Sequence, residues 1–397
     1  MNPKTLDDAP DAEWPMLSHD SSHTGFTGGK GPETNEVRWG RGSKTGYRVS
    51  SPVVANERVY VAWKGNLYCL DASDGSTLWK YEEVLSPPAV SNGRVYVSGE
   101  ALYCLDATDG SLLWEHKPGS TVAPTVLNGR VFTVSGEYVH CLNALTGSPL
   151  WKYNVSGSVV SPAVWEERVY VSSDSLYCLN ATDGSLLWTY KNFAYAQSPS
   201  RSAPTVSRGR VYVGTVSVGG TYAGYVYCLH ASSGALLWKY KLANSVFSSP
   251  AVGYGRVYVA CSSNDEPLYC FNASSGSLLW KRRDEGILSW NAPAIADEKV
   301  YMGAGTLVLC YDSTDGSLIW KYDTGHYGHS SPAIAYGHVY IGSGEDQELG
   351  GGYLYCFGEK GEWAKETLWI VIGSSVTGVG IATAIILYWK HRKSTST

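Results

Sequence analysis

The chain has 397 residues, 44% of them hydrophobic and 13% aromatic, and a formal net charge of −5. That charge is mild and spread along the chain without a basic stripe, which argues against nucleic acid as a partner. Length alone would admit two or three domains, and nine cysteines without any Cys-x-x-Cys spacing argue against a thiol-redox or zinc motif.

Residues 1–34 form an N-terminal extension, polar, glycine-rich and without hydrophobic period. No apolar run follows Lys4, so the start does not read as a secretory signal. His19, Asp20 and His23 are metal-ligand types, but one short loop without a fourth ligand is thin support. Docking of this loop onto the domain that follows is the expectation.

From residue 35 the chain repeats itself. A cysteine is followed ten residues later by a tryptophan at Cys69/Trp79, Cys104/Trp114, Cys141/Trp151, Cys178/Trp188, Cys228/Trp238, Cys270/Trp280 and Cys310/Trp320. A glycine stands four residues before each of these tryptophans, from Gly75 to Gly316. Upstream runs an alternating Val-Tyr-Val segment, as at 95–97 and 257–259, and a proline opens each unit, from Pro52 to Pro332. A period of about 35 to 50 residues belongs to propellers and solenoids. Each unit reads as four short strands rich in β-branched and aromatic residues. Asn-Gly links such as Asn92-Gly93 join the first two, and Asp-Gly joins the last two. Four antiparallel strands per repeat describe one propeller blade.

Eight proline starts and eight cysteine-bearing third strands are present, but Cys356 is followed by no fourth strand. The missing one is Asn35-Glu-Val-Arg-Trp39, at the other end of the repeat. Pairing the two ends closes the ring and removes its open edges. The prediction is an all-β, eight-bladed propeller over residues 35–358, closed by an N-terminal strand.

The recurring pattern (small residue, x, Asp or Asn, Ala, x, x, Gly, three more, Trp) resembles the tryptophan-docking repeat of the quinoprotein, or PQQ-like, propeller family, which includes BamB-type proteins. The match covers roughly residues 35–357. It implies that Trp39, Trp79, Trp114, Trp151, Trp188, Trp238, Trp280 and Trp320 are buried and that each docks its blade onto the next. The segment from Trp14 to Gly25 also resembles one that often precedes such propellers. This chain departs by placing cysteine where the family usually has alanine. The quinoprotein dehydrogenases of the family imply PQQ as a cofactor. They are much longer chains with a vicinal cysteine pair, and here no two cysteines are adjacent. No cofactor and no enzymatic activity are therefore expected, with a small PQQ-dependent dehydrogenase as the alternative.

Eight cysteines occupy one place in successive blades, too far apart for the Cα spacing of a disulfide, and read as small buried apolar residues. Cys261 is the exception, with a cross-hairpin pairing to Cys270 open to it. No nucleophile elbow, zinc-protease helix, P-loop or calcium loop occurs. Sequons at Asn154, Asn180 and Asn272 permit an extracellular reading.

Two insertions in blade five (192–201 and 217–224) and one in blade eight (344–352) fall in the fourth-to-first and second-to-third links, which share a face. Loops there tend to carry function. The candidate ligand face comprises Tyr47, Arg48, Phe193, Tyr195, Arg201, Phe247, Arg283, Trp290, Asn291, His326, Tyr327 and His329. Aromatics with a few cations at a channel mouth suit a surface protein, peptide or glycan.

After a linker at 359–366, residues 367–389 carry no charge and are long enough to cross a bilayer as a helix. Trp369, Tyr388 and Trp389 sit at its ends, and a short basic tail, 390–397, begins with Lys390, Arg392 and Lys393. The basic flank predicts a cytoplasmic tail and an extracellular propeller on a single-pass anchor. The functional expectation is a membrane-anchored, non-enzymatic binding or scaffold protein at the outer face of the cell membrane.

Overall fold

The computed structural model describes residues 13–42, 49–117, 122–157, 159–191, 202–216, 224–261, 268–282, 291–328, 330–344 and 352–359. They form eight four-stranded antiparallel sheets, seven in chain order and one whose outermost strand comes from the N-terminal side. In blade one the strands are Val53–Ala55, Arg58–Trp63, Asn66–Asp71 and Thr77–Glu82. The second strand is buried from Val59 to Trp63, because a blade pressed between two others has no solvent face. A strand buried on both faces reads as a continuous apolar run. The outermost strand shows the reverse, with Trp79 its one buried residue.

The first strand of every blade is three residues long, and each touches the first strands of both neighbours, so the eight form the inner ring. Crowding near the axis selects small side chains there, such as Ala89, Ala163, Ala251, Ala294 and Ala333. The inner hairpins turn through positive φ, at Asn92 (50°) and Gly93 (70°) for instance, the backbone of a type I′ turn. In blades one to seven the third and fourth strands share a bulge. Cys69 faces Trp79 and Leu70 faces Thr77, which leaves Leu78 as the extra residue.

Closure follows the sequence reading. Val37–Gly42 pairs antiparallel with Tyr353–Phe357, setting Trp39 opposite Cys356 and Arg41 opposite Leu354. All nine cysteines are free and buried, so Cys261 and Cys270 are not joined. Burial pushes the Cys69, Cys178 and Cys310 thiols up to about 12. Such thiols are inert.

The extension is part of the same body rather than a separate appendage. Residues 14–27 run along the inner ring and occupy its free backbone groups. Trp14 exchanges two bonds with Val54 (2.7 and 2.8 Å), and the carbonyls of Pro15, Ser21, Ser22, Thr24 and Gly25 accept from Val90, Val164, Val206, Val252 and Ile295. One strap thereby bonds the inner strands of six blades by backbone alone. It reaches a seventh, blade three, through His23 Nε2 and Thr125 Oγ1 at 3.3 Å.

The predicted anchor at 367–389 and tail at 390–397 lie outside the described residues. Among the described residues no helix is long and apolar enough to cross a membrane.

Candidate functional site at the loop face

Seven of the eight seams are built alike. Each glycine before a repeat tryptophan lies against the indole of the preceding blade, where an added Cβ would come within 2.5–2.7 Å of the ring. Those glycines hold φ near +70°, so both the turn and the close approach require them. The indole N–H of Trp39, Trp79, Trp114, Trp151, Trp188 and Trp238 donates to an alanine carbonyl of the next blade, and that of Trp280 to Ser313, at 2.9–3.2 Å. One correction concerns burial. Trp79, Trp238 and Trp320 are buried, whereas Trp39, Trp114, Trp151, Trp188 and Trp280 are half-buried. An outermost strand presents one edge of each ring to solvent.

His19 Nδ1 and Asp20 Oδ2 lie 3.4 Å apart, but His23 points elsewhere and the three do not share one site. His19 packs edge-on against Trp14 at 5.0 Å, Asp20 accepts from the Thr24 amide at 3.0 Å, and His23 turns to Thr125. Burial lowers the His23 pKa to about 4, against the opposing charge of Asp20. No group of three or more His, Cys, Asp or Glu among the described residues is placed to hold a metal.

Of the predicted ligand face, Tyr47, Arg48, Phe193, Tyr195, Arg201, Arg283, Trp290 and His329 lie outside the described residues. Phe247 is half-buried, His326 stacks on Tyr353 at 4.7 Å, and Tyr327 is exposed at 56%. Asn291 lines a cavity of about 400 Å³ at the loop face, together with Ser50, Ser51, Trp63, Lys64, Leu85 and Ser330. The structure brings Asn291 and Gly328, the neighbour of Tyr327, to one site and leaves Phe247 out of its lining.

Two of the lining serines, Ser50 and Ser330, belong to a serine ladder repeated around the ring. A serine two residues before the blade proline accepts a bond from the second strand: Ser50 from Ala62, Ser86 from Ser98, Ser202 from Gly214, Ser248 from Ala260 and Ser330 from Gly342, at 2.9–3.1 Å. Neighbouring blades are tied at the mouth by Ala292 N–H to Ser331 Oγ (3.0 Å) and Ser331 N–H to Ser51 Oγ (3.2 Å). Against this frame stands Trp63, 6% exposed, with Tyr68 at 5.7 Å and the Lys64 ammonium 5.3 Å from its ring centroid. Its indole N–H is buried without an acceptor among the described residues.

Trp63 and Lys64 escaped the sequence reading, although a signal exists. The equivalent place after the Val-Tyr-Val run is Gly99, Ser135, Ser173, Thr215, Cys261, Ala304 or Ser343 in other blades, and tryptophan only here.

The family described as outer membrane protein assembly factor BamB matches residues 30–123, 98–217, 197–305 and 264–351, and the chain belongs to this PQQ-type propeller family. Solved structures agree on the fold. Quinohemoprotein alcohol dehydrogenase from Comamonas testosteroni superimposes with a TM-score of 0.71 at 14% identity, over 88% of this chain and 81% of that one. BamB from Moraxella catarrhalis gives 0.63 at 15%, over 79% and 97%. A europium-containing methanol dehydrogenase gives 0.68 at 14%, over 88% and 99%. No curated protein matches the chain.

PQQ carries several carboxylates. The described residues of the loop-face cavity offer them one cation, Lys64, and no carboxylate to share a divalent ion. That donor set does not fit the group.

Proposed function

We propose that the protein is a membrane-anchored, non-enzymatic propeller that holds a peptide or glycan segment of another surface molecule at its loop face. The observation that carries this reading is the cavity beside Trp63, an aromatic wall with the Lys64 ammonium over its ring, set among Ser50, Ser51 and Ser330. A peptide or sugar segment presents apolar faces that suit a flat indole and polar groups that suit the serines around it. The family's description as an assembly factor supports holding another molecule rather than turning one over. Anchoring rests on the uncharged run 367–389, and the outward orientation on Lys390, Arg392 and Lys393 beside it.

The test uses the full chain in detergent on peptide and glycan arrays, with Trp63→Ala in parallel. A ligand bound by the parent and lost by the variant is the expected result. Calorimetry with PQQ and calcium runs beside it; stoichiometric binding with dye reduction would replace this reading by a dehydrogenase. Protease added to intact cells is expected to digest the propeller, and survival until the membrane is breached would reverse the orientation.

A further inference from the structure

The seam between blades two and three differs from its neighbours on the outer rim. Two residues after the docking tryptophan, five of the eight blades place a tyrosine, and at three seams it meets another from the next blade's third strand. Tyr81 lies 5.4 Å from Tyr103, Tyr190 6.0 Å from Tyr227, and Tyr322 6.3 Å from Tyr355. At the second seam both positions are histidine. His116 and His140 stand 6.2 Å apart, centroid to centroid, at 63°. In the other blades this place holds tyrosine or, at Arg41 and Arg282, arginine, and histidine stands only here.

The two imidazoles open onto a cavity of about 410 Å³ whose other walls are Lys117, Pro149, Leu150, Trp151 and Lys152. Neither ring has a hydrogen-bond partner among the described residues. Lys152 pairs across the sheet with His140, and its ammonium lies 5.3 Å over Tyr138, whose ring also flanks His140 at 6.3 Å. The nearest acid in sequence, Glu115, acts on Tyr81 and Tyr103 at the preceding seam and is not in the lining. Two lysines and two histidines therefore border one largely apolar cavity that no carboxylate among the described residues lines. Two histidines alone would suit a transition metal, but two lysines at the same cavity repel a cation and attract an anion.

We infer that this seam binds a tetrahedral oxyanion ester, a phosphate or sulfate monoester, whose apolar body lies on Leu150 and Trp151 while the imidazoles and lysines hold the oxyanion. An imidazolium donates from both nitrogens and forms charge-assisted bonds that a neutral ring cannot. In the free protein, burial and the nearby His116 and Lys152 lower the pKa of His140. A bound anion opposes that shift, so binding takes up protons and strengthens as pH falls from 8 to 6.

The experiment is calorimetric titration of the full chain in detergent at fixed ionic strength, with phenyl phosphate, phenyl sulfate, phenol and zinc chloride as probes. Phenyl sulfate keeps one charge across the range, so it carries the pH arm. Saturable binding of one or both esters is expected, none of phenol, and tighter phenyl sulfate binding at pH 6 than at pH 8. The double variant His116→Tyr, His140→Tyr restores the ring pair of the adjacent seam and should weaken the esters at least about tenfold. Lys152→Met, at an exposed position, should weaken them without disturbing the seam and serves if the double variant does not fold. Equal affinity for phenol, ester binding unchanged in both variants, zinc binding that the histidine variant abolishes, or no ester binding at all would each overturn the assignment.

Discussion

Seven seams of this ring are alike and the eighth is not, and the difference shows what closing a repeat costs. At the fourth seam the Trp188 indole lies on Gly234 and donates to Ala231 O, which also accepts from Tyr170. Trp280 and Tyr258 converge in the same way on Ser313. Blade eight has no turn to receive Trp320, because its outermost strand comes from the other end of the chain. Trp320 keeps a ring contact with Phe357 at 6.1 Å, like that of Trp238 with Phe271 at a regular seam, but its indole N–H is buried without an acceptor among the described residues. The segment ahead of the closing strand takes over. Tyr301 donates to Pro32 O at 3.0 Å, Asn35 to Lys321 O at 2.8 Å, and Lys299 pairs with Glu33 at 2.9 Å. A ring joined by two chain ends thus exchanges one packed turn for a set of polar contacts from a strap.

The largest test of that contrast is removal of residues 1–42. It takes away the closing strand, the contacts at the eighth seam and the strap along the inner ring together. The expected outcome is a chain that no longer folds as a monomer, read by size-exclusion chromatography and circular dichroism. A truncated protein that stays monomeric with an unchanged denaturation midpoint would mean that closure rests elsewhere.

At a regular seam, Trp188→Ala removes both the ring that lies on Gly234 and the bond to Ala231. The cost should be about 3 kcal/mol, the low end for a tryptophan deletion, since this indole is half-buried. A midpoint in urea equal to that of the parent would remove the docking role.

These seams were legible before the structure because repetition makes them so. One cysteine-to-tryptophan spacing written seven times fixes the blade, and counting strands at the two ends fixes closure. The loop face was much less legible. Arg48 and Trp290 were singled out by residue type in irregular links, where no period ties a side chain to a direction. Asn291 reaches the cavity, while Phe247 does not line it. Trp63 was hidden by the opposite cause, since it ends a run that every blade shares and so reads as core. The serine ladder is hidden for the same reason, since a serine near the start of a short strand reads as ordinary turn chemistry.

The strap offers a test by pH. His23 is buried on the inner ring with its pKa lowered from 6.5 to about 4, chiefly by burial. An unfolded chain protonates this histidine near pH 6.5, while the folded chain resists until about 4. Acid therefore favours the unfolded state across that window, and the stability present above 6.5 is lost as pH falls through it. The loss should be of the order of 3 kcal/mol. His23→Gln, which cannot titrate, should flatten the curve between pH 6.5 and 4. Identical slopes in chemical denaturation would mean that the strap does not shield this ring.

The finest test compares Trp188→Phe with Trp320→Phe. Both keep an aromatic face and lose the indole N–H along with some volume. At Trp188 the N–H is bonded to Ala231 O at 2.9 Å, so its loss costs about 1 kcal/mol beyond the packing change. The Ala231 carbonyl keeps Tyr170 and is not orphaned. At Trp320 the N–H has no acceptor, and removing it relieves a buried unsatisfied donor. Packing alone would give the opposite order, because Trp320 is the more buried ring at 8% exposure. A smaller cost at Trp320 in urea denaturation therefore isolates the hydrogen bond as what distinguishes a regular seam from the closing one. An equal or larger cost there would mean that Trp320 has found an acceptor, and that the eighth seam is built more like the other seven.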